Sequence, residues 1–152
     1  MQRLAPAFPL VPLLLACVCF QAGAVEINDM KGFEDLYGRY APAGDCKRQP
    51  QLVIDSGGMT FEIAAARTRV TNPEFAASFF GGASESYEGI SKVFFPFRNS
   101  SQDGYPIIMM FNAGEKKGVL TIDGQDEGWK GGPPLTPRNK ALVSGSPYAK
   151  CK

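Results

Sequence analysis

Gly89-Ile90-Ser91-Lys92-Val93-Phe94-Phe95-Pro96-Phe97 and, after a polar loop, Pro106-Ile107-Ile108-Met109-Met110-Phe111 are the runs around which the chain is organised. Both are apolar on both faces of the pleat, which suits neighbouring strands in the middle of a sheet with material packed on each side. Every other segment after residue 24 is shorter, or apolar on one face only.

Gln51–Asp55, the turn Ser56-Gly57-Gly58 and Met59–Ile63 read as a hairpin, since Met59, Phe61 and Ile63 alternate with Thr60 and Glu62. Arg67-Thr68-Arg69-Val70 alternates again with both arginines on one face, a solvated surface or, as the sharper alternative, an anion site. Phe75, Ala77 and Phe79 begin a strand that ends at Gly81-Gly82, and Leu120 and Ile122 share a face of Gly118–Asp123. Ala141-Leu142-Val143 and Tyr148-Ala149 are read as returns to the sheet. The one helix expected lies in Val25–Ala41, where Phe33, Leu36, Tyr37 and Tyr40 recur at helical spacing, Asn28 or Asp29 caps the start and Gly38 ends it. From Gly124 onward glycine and proline crowd together, which predicts an irregular excursion holding the only tryptophan, Trp129. The fold class expected is all-β: a small antiparallel barrel or sandwich of about seven or eight strands with one short N-terminal helix.

Residues 1–24 read as a signal peptide and 25–152 as a single secreted β domain. Arg3 precedes an apolar block from Leu10 to Phe20, and Ala22-Gly23-Ala24 supplies small residues for cleavage near Ala24. That block is too short for a membrane-spanning helix. Leu14-Leu15-Ala16-Cys17 offers a rival, a lipid anchor at Cys17, against which stand the bulky Leu15 and the stray Cys19. The localisation expected is periplasmic or secreted. Cleavage leaves Cys46 and Cys151 as the remaining cysteines, a pair that forms a disulfide in an oxidising compartment.

The chain carries 16 Lys and Arg against 15 Asp and Glu. Loss of Arg3 with the signal brings the two to balance, so no overall field draws in nucleic acid or an anionic membrane. There is no histidine, which removes the usual nucleophile–base triads and most zinc hydrolase sites. No phosphate-cradling or dinucleotide glycine motif is present, and no cofactor or metal is implied. Carboxylate chemistry survives the elimination. Its candidates are Glu85 and Glu88 on one turn and Asp123, Asp126 and Glu127 on another, each in polar sequence where acids are ordinarily solvated. Asp123–Glu127 also hints at calcium but lacks the alternating ligands of an EF-hand loop. Trp129, beside Lys130, reads either as an exposed anchor for a partner or as a cover over the open end of the barrel.

Ala83-Ser84-Glu85-Ser86-Tyr87-Glu88-Gly89-Ile90, followed by Val93-Phe94-Phe95, resembles the serine-glycine-x-x-tyrosine segment of the periplasmic C-type lysozyme inhibitors. These are small disulfide-closed barrels in which that loop enters the enzyme's cleft. Here Ala83 stands where the motif serine would be, Ser84 replaces the glycine, and the lysine-glycine pair, Lys117-Gly118, comes a strand later. The resemblance implies a non-catalytic envelope binding protein whose partner is a protein such as a lysozyme-like wall hydrolase, of inhibitor or immunity type. Ser84, Ser86, Tyr87, Trp129 and Lys130 are then the expected contact residues. The alternative functions are a carrier holding an apolar ligand among Phe79, Phe95, Met109 and Phe111, and a carboxylate-dependent glycan-acting enzyme.

Overall fold

The computed structural model describes residues 24–76, 89–97, 106–124 and 134–151. Within them the strands are β1 (Val25–Glu26), β2 (Gly38–Pro42), β3 (Gln51–Asp55), β4 (Gly58–Ile63), β5 (Ala66–Val70), β6 (Glu74–Ala76), β7 (Lys92–Phe95), β8 (Ile107–Phe111), β9 (Val119–Gly124) and β10 (Tyr148–Lys150). One α-helix, α1 (Pro137–Ser144), precedes the last strand. All neighbours are antiparallel, in the order β1-β6-β7-β8-β9-β10-β2-β3-β4-β5. Only Thr71, Asn72 and Pro73 join β5, at one edge, to β6, which lies next to the other edge. A three-residue connection has a short reach, so the sheet curls until its edges approach, as a half-barrel.

The concave face is the core. Tyr40, Leu52, Ile54, Met59, Phe61, Phe94, Ile107, Met109, Phe111, Leu120, Ile122 and Tyr148 alternate inward from seven strands and are essentially inaccessible. Edge-to-face ring pairs knit it: Phe94 with Phe111 at 5.6 Å between centroids, and Tyr40 with Phe111 at 5.5 Å. Burying aliphatic and aromatic side chains on this scale, at about 1.5–3 kcal/mol each, is what drives the sheet to curl. The expectation of packing on both faces of the β7–β8 pair also holds: Val93, on the convex side, is 1 % exposed, with Phe95, Ile108 and Met110 half-buried near it.

The β3–β4 hairpin is as the alternation predicts, with Leu52 opposite Phe61 and Ile54 opposite Met59. Asp55 Oδ1 accepts the Gly57 N–H at 2.8 Å in the turn. Gly58 cannot be replaced cheaply: its φ is +134° and a Cβ there would lie 2.2 Å from the Val70 carbonyl oxygen.

Two expectations are corrected. Val25–Ala41 is not a helix. It supplies β1, a 3₁₀ turn at Glu34–Leu36 and β2, and these added strands raise the count among the described residues to ten. Gly32 (φ +90°) and Gly38 (φ +142°) bend the chain away from helical geometry on either side of the turn. Leu36 and Met30 are driven fully into the end of the barrel instead. The α-helix lies near the C-terminus, over Ala141-Leu142-Val143, which are not strand residues. Thr136 caps it by accepting the Asn139 N–H, Pro137 occupies its first turn, and Leu142 is its buried apolar anchor. Tyr148 donates its hydroxyl to the Leu142 carbonyl at 2.6 Å, and Gly145 makes room, since a Cβ there would lie 2.4 Å from that hydroxyl. Burial pushes both the Tyr40 and the Tyr148 hydroxyls well above the usual phenol range.

Cys46 and Cys151 form the expected disulfide, with Cα atoms 5.7 Å apart. It ties the β2–β3 connection to the end of β10, which lies in the middle of the sheet between β9 and β2. Gln51 holds the same connection by donating to the carbonyls of Cys46 and Arg48. Among the described residues no helix is long and apolar enough to cross a membrane.

Candidate functional site: a lysine-bearing groove at one end of the barrel

Lys92 and Lys150 occupy the last inward-facing positions of their strands, two residues from the buried Phe94 and Tyr148. Their stems run along apolar surface and their ammonium groups emerge at the barrel end, as long cationic side chains do when the adjoining positions are core. Lys92 Nζ meets the carboxylate of Asp35 at 2.9 and 3.0 Å and lies 5.8 Å from the centre of the Phe33 ring. Lys150 Nζ donates to the main-chain oxygen of Asp35 at 2.7 Å and lies 5.8 Å above the Tyr40 ring. The 3₁₀ turn that carries Asp35 is thereby fastened across the mouth by two lysines from different strands.

Beside them opens a groove of about 650 Å³ whose lining includes Asp35, Gly89, Ile90, Lys92, Asn112, Lys117, Gly118 and Lys150. One rim is built by the turn after β8. Asn112, buried and left-handed (φ +54°), donates from Nδ2 to the Ile90 carbonyl at 3.0 Å and accepts the Gly118 N–H on Oδ1 at 3.0 Å. Glu115 Oε2 accepts the Ile90 N–H at 3.1 Å. Ser91 Oγ lies 2.8 Å from both the Asn112 carbonyl oxygen and Glu115 Oε1, and donates its proton to one of them. This network fixes Ile90-Ser91 against Lys117-Gly118. Lys117 is exposed and makes no hydrogen bond or ion pair among the described residues. Among the described lining residues three lysines accompany the carboxylate of Asp35, with the Glu115 carboxylate bound into the rim, an arrangement that attracts carboxylates or phosphates.

Ser84, Ser86, Tyr87, Trp129 and Lys130, the contact residues expected from sequence, lie outside the described residues, as do Phe79, Glu85, Glu88, Asp126 and Glu127. The chain re-enters at Gly89, on the rim of the groove. Asp123 is exposed at the end of β9. Arg69 is engaged within the sheet, fork-bonded to Asp55 and donating to Thr60, whereas Arg67 is exposed and comes no nearer than 3.8 Å to Glu62. The Arg69 side chain holds the Asp55 carboxyl below its ordinary value, with the Gly57 N–H assisting. Among the described residues no group of histidine, cysteine or acidic side chains could hold a metal ion. Lys92, Asn112 and Lys150 were not legible as site residues, because only strand register shows which lysines leave a core-facing row. The one available signal was Lys117-Gly118.

No family model, curated protein or solved structure matches the chain.

Proposed function

We propose that the protein is a non-catalytic binding module of the bacterial cell envelope whose basic groove engages the carboxylate-lined cleft of a wall-degrading glycosidase, as an inhibitor or immunity protein does. The observation that carries this reading is the meeting of Gly89-Ile90, which follow the tyrosine segment, with Lys117-Gly118 on one groove. These are the two parts of the inhibitor-like pattern, separated in sequence by β7 and β8. Glycosidases cleave with a pair of carboxyl groups flanking the sugar bond. A groove with three lysines and one aspartate is complementary in charge to such a cleft, and complementarity of this kind sets encounter rate and register.

The carrier reading has less behind it. Met109 and Phe111 are packed in the core, whereas Phe95 follows the inward-facing Phe94 and so points to the convex side of the sheet. The three do not line one cavity.

The test is retention of wall hydrolases from envelope extract, and of a panel of lysozymes, on the oxidised protein, with Lys117→Glu alongside. The expected result is a retained hydrolase whose activity falls with added protein and which binds the variant about tenfold less tightly. Retention of no hydrolase from either source would overturn the reading.

A further inference from the structure

We propose that the free edge of β5 is a docking strand for an extended segment of a partner protein, one that alternates acidic with apolar residues. The surface is separate from the lysine groove, and the inference does not depend on the function proposed for that groove.

β5 pairs with β4 on one side and, among the described residues, ends the sheet on the other. The β4–β5 connection settles which backbone groups are free. Ile63 pairs with Ala66 across the two-residue loop Ala64-Ala65, so these two exchange hydrogen bonds. By alternation Ala66, Thr68 and Val70 aim their N–H and C=O groups at β4, and Arg67 and Arg69 aim theirs outward. Those outward groups make no hydrogen bond among the described residues.

The side chains along the edge specify the occupant. On the inner face Ala66 and Thr68 are small, and with Phe61, Ile63, Pro137 and Arg138, whose guanidinium lies 3.5 Å over the Phe97 ring, they border a largely apolar recess of about 290 Å³. Such a recess receives the apolar residues of an added strand. On the outer face Arg39, Arg67 and Arg69 stand against two carboxylates, Asp55 and Glu62. Glu62 is already engaged by Arg39, and the Arg67 side chain is 69 % exposed with only a 3.8 Å approach to Glu62. An acidic residue on the added strand would lie across from Arg67, where opposite charges on neighbouring strands attract. A second copy pairing through the same edge would instead set arginines beside arginines.

The probes are a capped peptide alternating valine with glutamate and its counterpart alternating valine with lysine, titrated into oxidised protein expressed as the full chain. The glutamate peptide is expected to bind saturably, at least about tenfold tighter than the lysine peptide. It should also slow amide exchange at Arg67 and Arg69 by about tenfold or more, leaving Ala66, Thr68 and Val70 as they were. Arg67→Glu keeps the outward N–H and should reverse the preference between peptides. Arg67→Pro removes that N–H without touching the ladder and should abolish binding; if it fails to fold, Arg67→Glu decides. Absence of saturable binding by either peptide, equal binding of both, or protection appearing at Ile90 and Gly118 instead of Arg67 and Arg69 would each overturn the proposal.

Discussion

Lys92 donates to both carboxylate oxygens of Asp35 across 57 residues of chain, at 2.9 and 3.0 Å, and so fastens the 3₁₀ turn over the mouth of the barrel. The Asp35 side chain is half exposed, which limits the pair to about 1 kcal/mol or less. Its charge matters more than its stability. Asp35→Asn is expected to cost under about 1 kcal/mol in urea unfolding and to tighten binding of a carboxylate-rich partner, because the carboxylate that neutralises Lys92 is lost. Unchanged or weaker binding would detach the lysines from recognition.

Asn112 makes a heavier contribution. Asn112→Ala leaves the Ile90 carbonyl and the Gly118 N–H without their partner and puts alanine in a left-handed conformation. The expected loss is about 2–3 kcal/mol by denaturant unfolding. A loss below about 1 kcal/mol would mean that water replaces the amide at no cost.

The disulfide closes a loop of sequence separation 105. Replacing both cysteines by serine should lower stability by about 4–5 kcal/mol, on the chain-entropy account. It also unties Lys150, the residue next to Cys151, so binding at the groove should weaken even where the fold survives. Comparable binding by the oxidised and serine forms, measured well below the melting point, would contradict that second effect.

Asp55 and Arg69 give an acid-dependent contribution whose sign is fixed. The folded-state pKa of Asp55 is lowered from 3.8, chiefly by the Arg69 side chain. Its stabilisation is therefore full above that value and lost as pH falls through the lower folded value. Melting temperatures of the wild type and Asp55→Asn should differ at neutral pH and converge in strong acid. A gap that stays constant with pH would show that the carboxylate charge contributes nothing.

Much of the sheet was legible in the sequence, since period-two alternation survives wherever one face carries apolar side chains and the other polar ones. Met59, Phe61 and Ile63 mark β4, and Leu120 and Ile122 mark β9, because each row had a single environment to satisfy. Val25–Ala41 misled for the opposite reason. Phe33, Leu36 and Tyr40 all pack against one barrel end, so an irregular plug carries apolar residues at helical spacing. The decisive signals there were Gly32 and Gly38, whose positive φ no helix uses. At α1 the cap Thr136 and Pro137 were the available evidence, but the helix buries only Leu142 and Asn139 and shows no continuous apolar stripe. The groove was the least legible part. Lys92 and Lys150 sit 58 residues apart on strands whose neighbourhood depends on β10 inserting between β9 and β2, and nothing local in the sequence reports that insertion.

The most direct measurement is a titration of wall-hydrolase activity with the oxidised protein, run beside Lys117→Glu. If the groove blocks a hydrolase cleft, activity falls linearly to a low residual near equimolar protein, with the variant needing about tenfold more. Full hydrolase activity in the presence of excess protein, across the lysozyme panel and the hydrolases of the envelope, would contradict it.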